Sequence, residues 1–517
     1  MHSQQIDHAR ARRSRGHAVP ALALAAALAG LTACGEDAPS APVASAKRAE
    51  TPSATAVTTR APKKFFVNPV GGKDTNAGSL TAPFKTLAKA LSVAIANDTV
   101  KLAAGTYSKA TNGERFTASG QYIQVPNGVR IEGTLNSSGG NATILQGQLD
   151  TPGYDSEIAL SLAANAVVTN VSIERFGMGV RALSGKQTLT HLSIGYTHFG
   201  VSTQFGAQTV LQNSTVFVSS VADAGLSAVG HAQLTMDGGQ LFGPGSCTAD
   251  PDEGTGVYVK DTAQVTLKNK ATLKDVAGVA LDLRNLGAAT LDNAVISKTN
   301  QVGCTPRPRV QMLDSTSLRL RLNTTLSSSG GTSAVGIQAQ TKGTLRIDTA
   351  TVKGFTGAGV RAASGSKLAL VMNRGSILQN GVGINAAGVS SGNASITIAG
   401  STIASNQTGI IAPYFKLRKS DVASNRQGVV LTSPFADLGQ VGDPGNNLII
   451  NNLVTGVTFQ STVVCCGVWA TGNTWNAFTQ GADGNGHYPP GLIINGTSSL
   501  AKGTNFSLPN LNLSIQL

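Results

Sequence analysis

The chain has 517 residues, of which 60 are Gly, 13% are charged and 5% are aromatic. That length excludes one compact core and ordinarily means several domains, unless the chain is a repeat array whose units need only their neighbours. The formal charge is +13, and residues 1–33 hold four Arg and one Asp, which leaves +10 on the remainder. A basic surface attracts polyanions or anionic headgroups by Coulomb force alone and names no partner. No nucleic-acid partner is expected.

Arg10, Arg12, Arg13 and Arg15 precede the apolar run AVPALALAAALAGL. The run is shorter than the roughly 20 residues of a membrane span. Residues 1–33 therefore read as a signal peptide and not as structure. Leu31, Thr32, Ala33 and Cys34 resemble a bacterial lipobox. The resemblance implies cleavage before Cys34, acylation of its thiol and amine, export, and a lipid anchor in the bacterial cell envelope, at the outer membrane or cell surface. Residues 34–62 then supply the acylated Cys and a flexible tether rich in Pro, Ala, Ser and Thr.

Residues 63–116 open the folded part. Phe65 to Val67 suggest a strand, GGKDTNAGS a turn, and Pro83 the start of a helix whose buried face carries Phe84, Leu87, Leu91, Ala94 and Ile95. Asp74 and Asn76 suit Asx turns. With Gly72, Gly78, Thr86 and the run DTVKLAAGTY from Asp98 to Tyr107, this segment resembles a family of domains of unknown function found at the N-terminal end of many bacterial pectin-lyase-like proteins. The resemblance implies an all-β fold, a right-handed parallel β-helix of roughly a dozen coils. A short amphipathic helix would cap its first edge, which would otherwise aggregate.

Over residues 117–460 the chain nearly repeats itself. RGSILQNGVGI, GSTIASNQTGII and KSDVASNRQGVV align Ile377, Ile403 and Val422, then Asn380, Asn406 and Asn425, then Gly383, Gly409 and Gly428. Gly179, Gly200, Gly225, Gly256, Gly278, Gly336, Gly359 and Gly456 extend the pattern at about 25 residues per repeat, with two coils between Gly278 and Gly336. The aliphatic residues are expected to stack inward. Asn is assigned to a left-handed turn with an amide ladder, and Gly to a sharp corner.

Cys247, Cys304, Cys465 and Cys466 fit an oxidising compartment. Cys247 with Cys304 is the preferred bridge, and Cys465 with Cys466 a vicinal one. Asp250, Asp252 and Glu253 form the densest acidic group. They read as a solvated loop, with calcium the one cation they are suited to hold; no other cofactor is expected.

For binding, Arg319 and Arg321 alternate with Leu318, Leu320 and Leu322, and Lys416 and Arg418 flank Leu417. All four are expected to face outward, joined by Arg361, as a surface for acidic polysaccharide. Trp469 and Trp475, within a C-terminal capping segment 461–517, offer rings to a sugar face. The acids are scattered, so the reading is a membrane-anchored envelope or cell-surface β-helix, non-catalytic, that presents a surface for glycan or another cell-surface component. The alternatives are a polysaccharide lyase or other carbohydrate-active enzyme, and an adhesion or protein-interaction module.

Overall fold

The computed structural model describes residues 60–116, 122–148, 157–219, 222–244, 253–298, 307–329, 335–389, 395–433, 436–440, 442–459, 469–470, 472–475, 505–507 and 514–516. Cys34, Cys247, Cys304, Cys465, Cys466, Asp250 and Asp252 lie outside these. Each coil adds one short strand to each of three sheets, which contain 14, 18 and 15 strands among the described residues. The first face runs from Tyr122–Val125 to Thr455–Phe459, the second starts at Lys64–Val67, and the third runs from Gly105–Tyr107 to Thr474–Trp475. Successive coils pair in parallel, as in Ile377↔Ile403↔Val422↔Ile449 on the third face. The pair Asn505–Ser507 and Ser514–Gln516 is antiparallel. The architecture is a right-handed parallel β-helix.

The register is the one the repeats imply. Ile403 and Ile410 are 0% exposed, whereas Gln407 between them is exposed. Strand alternation turns each aliphatic residue inward, where it stacks on its counterpart one coil away. The Asn residues do form a ladder. Asn406 Oδ1 accepts from Asn380 N at 2.8 Å and Asn380 Nδ2 at 3.0 Å, and Asn425 and Asn452 repeat the pattern. It ends where Phe355 N donates to Asn380 Oδ1.

Two details of that expectation are corrected. The left-handed residue is the one before each Asn: Gln379, Ser405, Ser424 and Asn451 have φ of 55° to 59°. The Asn itself stays in register to reach both neighbours. Nor does the Gly make a corner. A Cβ at Gly409 would lie 2.5 Å from Gly428 O and 3.2 Å from Asn425 Nδ2, so Gly is required by the close approach of stacked coils. A second ladder, Ser401–Ser420–Asn447–Asn473, lines the corner between the second and third faces.

The strand registers also correct the Gly column. Gly256 is followed in register by Ala280, then Arg309, then Gly336; Gly278 is not a member. Arg309 is thus an arginine in a glycine column, 1% exposed. Its guanidinium makes 3.4 Å bonds to the carbonyls of Val276 and Arg307, while Nε has no partner. Burial pulls Arg309 down to about 10 and the nearby Lys298 ammonium down to about 7.

At the N-terminal end the helix is Leu87–Val93, later than Pro83 suggests. Thr86 is its N-cap, accepting from Lys89 N at 3.1 Å. The helix buries Leu87, Ala90 and Leu91 and packs on the strands Lys64–Val67, Thr99–Leu102 and Tyr122–Val125. Glu114, buried, accepts from the free N–H groups of Leu87 and Ala88 at 2.8 and 3.0 Å. Burial still pushes its carboxyl above the usual carboxylate range. Asp74 Oδ1 accepts from Lys85 N and Thr86 N, and Asn76 Nδ2 donates to Pro83 O. These side chains knit the cap together.

Candidate functional site

The basic strands are the first place to look, and the fold neutralises them. In register, Asp237, Lys268, Asp292 and Arg321 stack coil over coil with alternating charge on the second face. Arg321 Nε lies 3.3 Å from Asp292 Oδ2 and Lys268 Nζ 3.2 Å from Asp237 Oδ2. Asp348 takes Arg319 at 3.3 Å and Arg346 at 2.6 Å. Asp237, Asp292 and Asp348 each sit one coil from a base they pair with, and Arg346 reaches Asp348 within its own strand.

Arg418 does not face outward as the alternation implies. It is 8% exposed and lies against the sheet, with Nη2 2.8 Å from Asp437 Oδ2 and 2.9 Å from Asp443 Oδ2. A guanidinium folds down because two carboxylates hold it by charge-assisted bonds. Lys416 Nζ joins Asp443 at 2.7 Å, and the two cations pull the Asp443 carboxyl down to about 2. Arg361 belongs to the first face, in register with Gln338 and Asn385, and cannot extend this set. Five residues expected to act together are therefore split between two faces, and four of them are paired.

The third face carries a feature that sequence reasoning missed. Along it, Gln146, Glu174 and Gly195 stand in register, then Phe217, Phe242 and Lys274. The Phe217 ring is 5.2 Å from Tyr196 on one side and 5.2 Å from Phe242 on the other. Tyr196 is 60% exposed and sits at φ 53°, an uncommon conformation for an aromatic residue. Gly195 contributes no side chain, and the rings, with Ser172, Ser193, Thr215 and Glu174, enclose a recess of about 310 Å³. Gln146 Nε2 donates to Glu174 Oε1 at 2.8 Å and holds the carboxylate in place. Aromatic residues one coil apart were the signal available in the sequence, hidden because coil lengths vary.

Other candidates carry less. A recess of about 610 Å³ beside the capping helix is lined by Ala88, Leu91, Arg115 and Tyr122, and residues 117–121 next to it lie outside the described residues. Trp469 and Trp475 continue the second and third faces, but their side chains are outside the described residues. Of the acidic group only Glu253 is described. Among the described residues no three His, Cys, Asp or Glu side chains converge as a metal site.

The architecture agrees with what comparison finds. A family model described as protein of unknown function (DUF1565) matches residues 70–480. The chain belongs to the DUF1565 family. The match extends well beyond the N-terminal cap to which the sequence resemblance is confined, so in this DUF1565 chain the coils belong to the family as well. No curated protein matches it. Among solved structures it is similar to an alginate lyase from Paenibacillus sp. str. FPU-7, at 12% identity and a TM-score of 0.37, over 64% of this chain and 99% of that one. It is also similar to the pectate lyase Pel9A, at 13% identity and a TM-score of 0.32, over 65% and 79%. A third is the catalytic unit of an α-1,3-glucanase from Streptomyces thermodiastaticus strain HF3-3, at 12% identity and a TM-score of 0.35, over 59% and 62%. These are likenesses of fold.

Proposed function

We propose that this DUF1565 protein is an envelope β-helix, tethered through Cys34, that binds glycan without cleaving it. The observation that carries the reading is the Tyr196–Phe217–Phe242 row over Gly195, flanked by hydroxyls and one carboxylate. Rings accept the C–H faces of a pyranose, while Ser193, Thr215 and Glu174 supply partners for its hydroxyls. The basic strands, already paired with acids, are the weaker surface for it.

Catalysis is disfavoured by what lines the recess. Glu174 is the one carboxylate lining it among the described residues, and glycoside hydrolysis ordinarily takes two. A lyase needs a base together with a cation to neutralise a uronate, and among the described residues no Lys, Arg or His lines it. Phe217→Ala is expected to weaken glycan binding about tenfold while leaving the melting temperature within a few degrees. Unchanged affinity, or release of unsaturated sugar by the unaltered protein, would contradict the proposal. For the anchor, Cys34→Ser should move the protein from the detergent phase to the aqueous phase; retention in detergent would contradict it.

A further inference from the structure

We infer that the third-face recess takes a neutral, linear glycan laid along the solenoid axis, contacting several coils at once. The inference rests on the glycan reading above and adds the ligand's charge, shape and direction. Direction follows from register. The row Glu174, Gly195, Phe217, Phe242 runs parallel to a hydroxyl and amide row of Ser172, Ser193, Thr215 and Gln240. Both rows advance by one coil per step, about 4.8 Å in a parallel sheet. That step is comparable with the advance of one pyranose in an extended chain, so successive sugars meet successive coils in the same way. Gly195 places no side chain between Glu174 and Phe217, with Tyr196 beside it.

Charge follows from the lining. Glu174 accepts hydroxyl protons and repels a uronate carboxylate; Arg175, exposed one coil before Tyr196, borders the recess without lining it, and the next cation, Lys274, is one coil past Phe242 and 3.9 Å from Asp275. The recess therefore favours uncharged sugars although the chain as a whole is basic.

The test is calorimetric titration of the full mature chain with gluco-, manno- and xylo-oligosaccharides of one to several residues, and with oligogalacturonates of the same lengths. At least one neutral series should bind, gaining affinity with each residue up to about four, the number of coils in the row, and then level off. Oligogalacturonates should bind at least tenfold more weakly, and Glu174→Gln should narrow that gap. Affinity independent of length, or stronger binding of the acidic series, overturns the inference while the glycan reading stands. If no saccharide of either charge binds, the glycan reading falls with it. Retention of the melting transition by Glu174→Gln separates these outcomes from misfolding.

Discussion

Ile403→Asp is expected to cost about 3 kcal/mol or more of folding stability, whereas Gln407→Asp should change it by no more than about 0.5 kcal/mol. The two positions are in one coil. Ile403 is 0% exposed and stacked between Ile377 and Val422, and the nearby Asn406 amide already donates to Ile377 O and Asn425 Oδ1, so a carboxylate there must remain unpaired or take up a proton. Gln407 faces water. Denaturant unfolding of the two variants measures the difference. Equal stability would mean that the third-face register is wrong, and with it the alignment of the aromatic row.

Arg309→Met is expected to raise stability by about 1 to 4 kcal/mol, since a buried cation is replaced by an apolar side chain of similar reach. Arg309 fills a place that neighbouring coils give to Gly or Ala, its Nε lacks a partner, and it shares its surroundings with Lys298. The pH dependence gives a second readout. Lys298 titrates near 7 in the folded chain and near 10.5 unfolded, with burial the largest cause and Arg309 next, opposed by Asp275. Between those values the unfolded chain binds more protons, so stability from this group rises with pH from about 7 to about 10. Below pH 7 the penalty is fully present. Thermal melts at pH 7 and pH 9.5 should show that rise in the unaltered protein and a smaller one in Arg309→Met, where a neighbouring cation is gone. A lower melting temperature for Arg309→Met at both values would contradict the account.

How much of this was legible in the sequence depends on the distance over which each signal acts. The inward stacking of Ile377, Ile403 and Val422 and the Asn380–Asn406–Asn425 ladder are written into near-identical coils, and the structure repeats them. Upstream the same ladder position is held by Phe176, Val276 and Phe355, all buried, so the motif fades while the fold continues. Charge pairing was not legible. Asp292 and Arg321, or Asp348 and Arg319, are a full coil apart in the chain and become neighbours only through register. Alternation within a strand correctly turned Arg319 outward, but it could not reveal the carboxylate waiting on the next coil. For Arg418 it gave the wrong exposure, because Asp437 and Asp443 draw the guanidinium down. The recess failed to stand out for the same reason: Tyr196, Phe217 and Phe242 come from three successive coils, and none is conspicuous alone.

The central claim is that glycan binds at the aromatic row of the third face and not at the basic strands of the second. Its most direct test is a parallel titration of two variants with the same glycan. One carries Phe217→Ala and Tyr196→Ala; the other carries Arg319→Gln, Arg321→Gln and Lys416→Gln. The account predicts a loss of about tenfold or more for the first, an affinity within about twofold of the unaltered protein for the second, and little dependence on salt for either, since stacking is not screened. Full affinity in the aromatic variant together with lost, salt-sensitive binding in the basic one would contradict it.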